Sequence, residues 1–193
     1  MGAAARPTHN GSHRTSPNPV PPMPTSPVDP ARFTIVPTAT AHLPSLYRTF
    51  DAVAREGRFL AFTQAPPWDD ALQFYEGMLR AGNPYFVALD GDRVVGWCDV
   101  ARVLGETRAH IGVLGVGLLP EVRHQGLGRR LMETTLAEAW SQGLTRIELT
   151  VRADNLNAKA LYDRLGFETE GLRRRASVVG EDVHDLWGMA LLR

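Results

Sequence analysis

The sequence predicts an α/β domain built on a mixed central sheet of about six or seven strands with about four helices. Three observations carry this. Strand-like and helix-like periodicities follow one another from Arg32 onward in the order β-α-α-β-β-β-α-β-α-β-β. An Asp90-Gly91-Asp92 turn joins two β-branched runs as a hairpin. Two later strands each lead into a helix through a short loop.

Phe33 to Val36 is a short apolar run and reads as a strand. Leu43, Leu46, Tyr47, Phe50 and Val53 recur at helical spacing, predicting an amphipathic helix over about 42–56 that ends near Gly57. Pro66-Pro67 interrupts the chain, and Trp68-Asp69-Asp70 opens a second helix running to about Ala81, with acids in the turn where the helix dipole favours them. Tyr85–Asp90 and Arg93–Ala101 form the hairpin. His110–Leu119 reads as a buried strand ended by Pro120, then Gly126–Ser141 as a helix and Arg146–Arg152 as a strand. Asn157–Leu165 is helical, Phe167–Glu170 begins a further strand, and about Val183–Leu192 forms the last. No internal repeat is visible.

Composition bounds the function. The 193 residues are 44% hydrophobic and carry 21 basic and 21 acidic side chains, so no net charge draws the chain to nucleic acid or to a membrane surface. No apolar run nears the roughly 18 residues of a membrane span. One cysteine, Cys98, excludes an internal disulfide framework and a cysteine-based zinc site, and the six histidines show no ligand spacing, so no metal is expected. The expected location is the cytoplasm. Of the basic residues only Lys159 is lysine, a bias that codon usage explains better than anion binding does.

Residues 1–31 hold eight of the 14 prolines among Ser, Thr, Asn and Gly, and are expected to form a disordered tail ahead of a domain over 32–193. Pro19-Val20-Pro21-Pro22 contains a PxxP pattern, and Met23 offers an alternative start. The tail has no apolar core of the kind a secretory signal needs.

The most informative stretch is Leu118-Leu119-Pro120-Glu121-Val122-Arg123-His124-Gln125-Gly126-Leu127-Gly128-Arg129-Arg130. A strand enters a loop with two glycines one residue apart and a helix begins at once. Loop N–H groups and the first N–H groups of a helix make an anion cradle, and glycines let phosphate approach the backbone. Arg129 and Arg130 in the first helical turn oppose the helix dipole unless an anion binds there. Leu131 stands where a dinucleotide fingerprint needs its third glycine, and there is no Gly-Lys-Ser/Thr of a P-loop. A tight turn without a ligand remains the alternative. Further on, Asn155-Leu156-Asn157-Ala158-Lys159-Ala160-Leu161-Tyr162-Asp163-Arg164-Leu165-Gly166-Phe167 follows the strand Arg146–Arg152.

Together these two blocks resemble the GNAT superfamily of N-acetyltransferases, clearly over about 110–170. The first resembles the family's acyl-CoA pyrophosphate signature, the second its Asn/Tyr helix. The resemblance implies a bulged strand splayed from its neighbour, with backbone groups of Val116, Gly117 and Leu118 pairing with the pantetheine arm. It implies that the loop of Arg123, His124, Gln125, Gly126, Leu127 and Gly128, with Arg129, holds the pyrophosphate of acetyl-CoA. Asn155 and Ala158 would lie near the pantetheine arm. Tyr162 would be the general acid that protonates the departing CoA thiolate; its helical stripe with Ala158, Leu161 and Leu165 also suits a core aromatic. The acceptor implied is a primary amine of a small molecule or peptide, and members of the family often pair as homodimers through strand edges.

The general base is less legible. The family often keeps Glu or His on the bulged strand, but Gly112, Val113 and Leu114 do not titrate. His110, on the face of Gly112 by alternation, is the nearest choice, although a polar tip at a strand end accounts for it equally. Glu148 and Asp99 are further choices. Phe59, Phe62, Trp68, Trp97 and Trp187 suit an acceptor wall or core packing. Asp182, His184 and Asp185 could meet a cationic amine, and Arg173-Arg174-Arg175 an anion or a solvated strand edge. Two rival readings stand beside the enzyme: an acyl-CoA-binding sensor without turnover, and an interaction protein that works through its Pro-rich tail.

Overall fold

A computed structural model describes residues 32–193. The Pro-rich tail, its PxxP pattern and Met23 lie outside the described residues. Strands β1 (Thr34–Pro37), β2 (Tyr85–Asp90), β3 (Arg93–Arg102), β4 (Ile111–Leu118), β5 (Arg146–Arg152), β6 (Glu168–Val179) and β7 (Asp182–Leu192) form one sheet in the order β1-β2-β3-β4-β5-β7-β6. Helices α1 (Leu43–Ala54), α2 (Trp68–Arg80), α3 (Leu127–Ser141) and α4 (Leu156–Arg164) accompany it.

Every neighbouring pair is antiparallel except β4 and β5, which α3 connects as a parallel crossover. That pair holds register only at Ile111↔Arg146, Gly112↔Ile147 and Val113↔Glu148. Beyond Val113 the two strands separate, so the middle of the sheet opens as a crevice at their carboxyl ends. The expected splay is present. The expected bulge is not on β4, whose register with β3 is continuous from Gly96↔Leu118 to Arg102↔Gly112. It lies on β3, where Ala88↔Gly96 is followed by Leu89↔Val94 and Val95 is the extra residue.

The core follows from the two periodicities. Leu43, Leu46 and Val53 of α1 and Leu127, Leu131, Met132 and Leu136 of α3 are buried, as are Val87, Val94, Val100, Ile147 and Leu149 of the sheet. Each such side chain contributes about 1.5–3 kcal/mol when fully removed from water. Helix α1 is also pinned to β3 by side chains: Thr49 Oγ1 donates to the Val94 carbonyl at 2.6 Å and Ser45 Oγ accepts from the Val94 N–H at 3.0 Å.

Strand β6 is far longer than its apolar start at Phe167–Glu170 suggests. Nearly all of it is exposed, so pairing with β7 rather than a buried face defines it. The arginine run sits at an irregularity in that pairing, between Arg173 and Ser177, with Arg175 at φ 54°. No helix among the described residues is long and apolar enough to cross a membrane.

Candidate active site

The crevice begins with backbone groups. Leu119 N–H donates to the Val95 carbonyl and Val103 N–H to that of Ile111, which fixes the alternation of the β3–β4 ladder. Residues 113, 115 and 117 turn their N–H and C=O to β3, whereas 114, 116 and 118 turn theirs to β5. Because β5 has diverged, both backbone groups of Val116 and the N–H of Leu118 face the crevice without a strand partner among the described residues. The Leu118 carbonyl accepts from Arg123 Nε and Nη2 at 3.0 and 2.7 Å. Gly117 therefore does not offer its backbone to a pantetheine arm. It makes room for a side chain instead, since a Cβ there would lie only 2.2 Å from Cη2 of the buried Trp97.

The loop after β4 is the second part. A 3-10 turn at Pro120–Val122 leads into it, and His124 (φ 60°) and Gly126 (φ 77°) both take the left-handed conformation. Alternation of this kind turns successive N–H groups to one side as a nest. Among the described residues, none of the N–H groups from His124 to Arg129 donates to a protein acceptor. Gly126 caps α3 without a side-chain hydrogen bond, and no atom lies within 4 Å of where its Cβ would stand. The buried Gln125 Oε1 also lacks a partner there. By contrast, Asn155 Oδ1 accepts from the Ala158 N–H at 3.2 Å and so caps α4. Of α3 and α4, the open helix end is the one beside the two glycines, and its chemistry fits a diphosphate.

Arg123 corrects part of the expectation. Its guanidinium binds Glu56 through both arms as well as the Leu118 carbonyl, so its side chain shapes the loop rather than contributing a phosphate ligand. Arg129 pairs with Glu133 at 2.7 Å on the surface, an exposed contact that a bound anion readily outcompetes. Arg130 donates to the Phe33 carbonyl at 3.2 Å. Asn155 has its oxygen committed to the cap, and Ala158 its N–H.

Tyr162 lies on α4 with its ring 5.9 Å from that of Phe167 and is 8% exposed. Its hydroxyl has no hydrogen-bond partner among the described residues. Burial raises its pKa, so the phenol keeps its proton at neutral pH. The electrostatic influence of Cys98 on Tyr162 puts the two near each other, on the face to which β3 and β4 present Cys98 and Val116. Cys98 itself is fully buried and its thiol is pushed up by burial, which leaves little thiolate for an acyl-cysteine route.

The structure does not bring His110 to the crevice. It is exposed ahead of β4, and its carbonyl accepts from the N–H groups of Thr145 and Arg146 at the closed end of the β4–β5 pair. Glu148 pairs with Arg146 at 2.7 Å. Asp99 is the remaining carboxylate, on β3 directly opposite Gly115. Asp185 Oδ1 accepts from the Arg175 N–H at 2.7 Å.

The aromatic candidates divide. Trp97 is core, with its ring 5.4 Å from Phe50, and Phe50 in turn meets the half-exposed Phe62 at 5.7 Å. Trp68 is 37% exposed and stands edge-on to Tyr47. Trp97 and Asp99 share one face of β3, so this aromatic chain runs from the surface toward the face that carries Asp99.

Comparison with known proteins agrees with this geometry. The model of the Acetyltransferase (GNAT) family matches residues 46–167. The N-alpha-acetyltransferase RimI of Mycobacterium tuberculosis is 33% identical over 126 residues, covering 65% of this chain and 77% of that protein. A mycothiol acetyltransferase of Kocuria rhizophila is 42% identical over 81 residues, but the match spans only 27% of its length. The ribosomal-protein-alanine N-acetyltransferase of Brucella melitensis superposes with a TM-score of 0.78 at 23% identity, covering 83% of this chain and 99% of that one. A phosphinothricin acetyltransferase of Sinorhizobium meliloti, solved with acetyl-CoA, gives 0.77 at 21%, covering 83% and 88%. With the family match running from α1 through the split strand, the open loop and the Tyr162 helix, the chain belongs to the GNAT acetyltransferase family.

Proposed function

We propose that this protein transfers the acetyl group of acetyl-CoA to a primary amine of a small molecule or peptide by direct attack. The observation that carries the reading is the continuity of unpaired backbone groups. They run from Val116 and Leu118 in the crevice to the N–H groups of His124 through Arg129 at the start of α3. An extended amide-containing arm ending in a diphosphate satisfies both stretches at once. A bare anion satisfies only the second.

Within that arrangement the chain's own groups have separate tasks. The loop N–H groups and the α3 dipole hold the diphosphate, and the strand edge aligns the arm. Unpaired N–H at Val116 is suited to stabilise the oxyanion that develops when an amine attacks the thioester carbonyl. Tyr162, kept protonated by its burial, supplies a proton to the departing sulfur. The relatives' names divide between the alanine terminus of ribosomal protein bS18 and mycothiol, so they support an amine acceptor without choosing one.

The test is acetyl-CoA-dependent thiol release with alanine-starting peptides, amino acids, polyamines and aminoglycosides, beside calorimetric titration of acetyl-CoA. Saturable binding and release with at least one amine are expected. Binding without release for any amine would favour the sensor reading, and no binding would overturn both.

A further inference from the structure

We infer that Asp99 of β3, reaching across the gap left by Gly115 of β4, is the general base that takes the proton from the acceptor ammonium. This inference rests on the acetyltransferase reading. Strand β4 carries no titratable side chain in Ile111–Leu118, so no group of that strand can do this work.

The geometry at the Asp99↔Gly115 pair is specific. A Cβ built on Gly115 would lie 2.9 Å from Asp99 Oδ1 and 3.5 Å from its Cγ. The carboxylate thus fills the space that a β4 side chain would otherwise take, which places a β3 acid over the strand that lines the crevice. Val113, two residues along the same face, is 45% exposed, so this part of the face is open. No hydrogen bond or ion pair among the described residues engages the carboxylate, and Asp99 is half-buried.

The surroundings suit a base. Tyr85 of β2 pairs directly with Asp99, and Tyr75 of α2 also acts on that neighbourhood. Burial raises both phenols, so both stay neutral at ordinary pH. Cys98, on the same strand, points to the opposite face with its thiol also raised. β4 contributes only Gly115 here, and Phe50 of α1 meets Trp97 rather than an ionic group. With no cation to hold it ionised, desolvation lifts Asp99 to about 7, where a base is half-loaded at working pH.

Asp99 and Tyr162 also stand on the two sides the reaction needs. Asp99↔Gly115 and Cys98↔Val116 are successive pairs, so their side chains face opposite ways, and Tyr162 lies on the Cys98 side. The balance is complete. Asp99 takes one proton from the ammonium, directly or through water, and later gives it to solvent. The amine lone pair forms the C–N bond and the C–S bond breaks. The sulfur takes the Tyr162 proton, and the second nitrogen proton returns to the Tyr162 oxygen through solvent.

The test compares wild type with Asp99→Asn, which keeps size and shape, using an alanine-starting peptide and spermidine as acceptors. At pH 7 the variant's kcat/KM is expected to fall by about 10²-fold or more while acetyl-CoA affinity is retained. The acidic limb near pH 7 should disappear, and the deficit should shrink as pH approaches the amine's own pKa. Equal turnover with an unchanged profile would overturn the assignment of Asp99 alone. A wild type that releases no thiol with any amine of the panel would instead overturn the acetyltransferase reading on which it rests. An acceptor-free measurement adds to this: the Asp99 carboxyl carbon should titrate near 7 by NMR, and a midpoint in the ordinary carboxylate range would also overturn the inference. Thermal unfolding of the variant separates loss of chemistry from loss of fold.

Discussion

Arg123 grips Glu56 with both arms of its guanidinium while Nε and Nη2 cover the Leu118 carbonyl, so one side chain ties the end of β4, the loop that follows it and the segment after α1 together. The pair is half-buried, with side-chain exposures of 24% and 20%. Removing one partner strands the other where water reaches it poorly. Glu56→Ala should therefore lower stability by about 1–2 kcal/mol and weaken acetyl-CoA binding several-fold by loosening the loop. Denaturant midpoints and calorimetric titration check this. Unchanged affinity would mean that the loop holds its shape without Arg123.

Gly126 has φ 77° and empty space around its missing Cβ. A valine there meets a backbone strain of roughly 1–2 kcal/mol and projects methyl groups into the anion cradle. Gly126→Val is expected to weaken acetyl-CoA binding by tenfold or more, with a modest fall in thermal midpoint. A variant that binds as wild type does would place the diphosphate elsewhere.

Removing the Tyr162 hydroxyl orphans no protein group, because none is hydrogen-bonded to it among the described residues. Tyr162→Phe should therefore leave stability within about 0.5 kcal/mol. It should lower kcat by about 10²-fold while hardly changing acetyl-CoA affinity. Full turnover in this variant would return Tyr162 to a packing role.

Much of this was readable from the chain because it is local. The hairpin at Asp90-Gly91-Asp92 and the strand-to-loop-to-helix passage around Gly126 each need only neighbours in sequence. What stayed hidden depends on residues far apart. Glu56 lies 67 residues from Arg123, so the fork's true partner leaves no mark in the loop motif. Gly117 and Leu118 look equivalent in sequence until the phase of the β3–β4 ladder is known. That phase sends one backbone to Trp97's strand and the other into the crevice. His110 shares a strand run with the site, yet an exposed position at the closed end separates it from the chemistry. Asp99 reads as an ordinary strand acid until burial and Gly115 are seen together. β6 shows no periodicity because it buries almost nothing.

Asp99 also makes stability depend on pH. Unfolded, its carboxyl ionises near 3.8, whereas in the fold desolvation holds it to about 7. Between these values the folded chain keeps a proton that the unfolded chain has released, so stability falls as pH rises through the window. Above about 7 the penalty is complete, and below the unfolded value it is absent. Asp99→Asn avoids it, so the variant's advantage over wild type should open between about pH 4 and 7 and then level off. Denaturant midpoints at several pH values measure this, and parallel curves for the two proteins would contradict a desolvated carboxyl.

The three residue pairs between β4 and β5 have a mechanical consequence. Helices α1 and α3 pack mainly on β2, β3 and β4, while β5, β7 and β6 pair among themselves on the other side. The sheet is thus two leaves joined at one end by those three pairs. A ligand arm lying along the open edges acts as a missing rung between the leaves. Occupancy should then slow amide hydrogen exchange in β4 and β5 on both sides of the gap. The co-substrate would serve as a reversible structural strand, and the enzyme would be stiffest when charged for transfer.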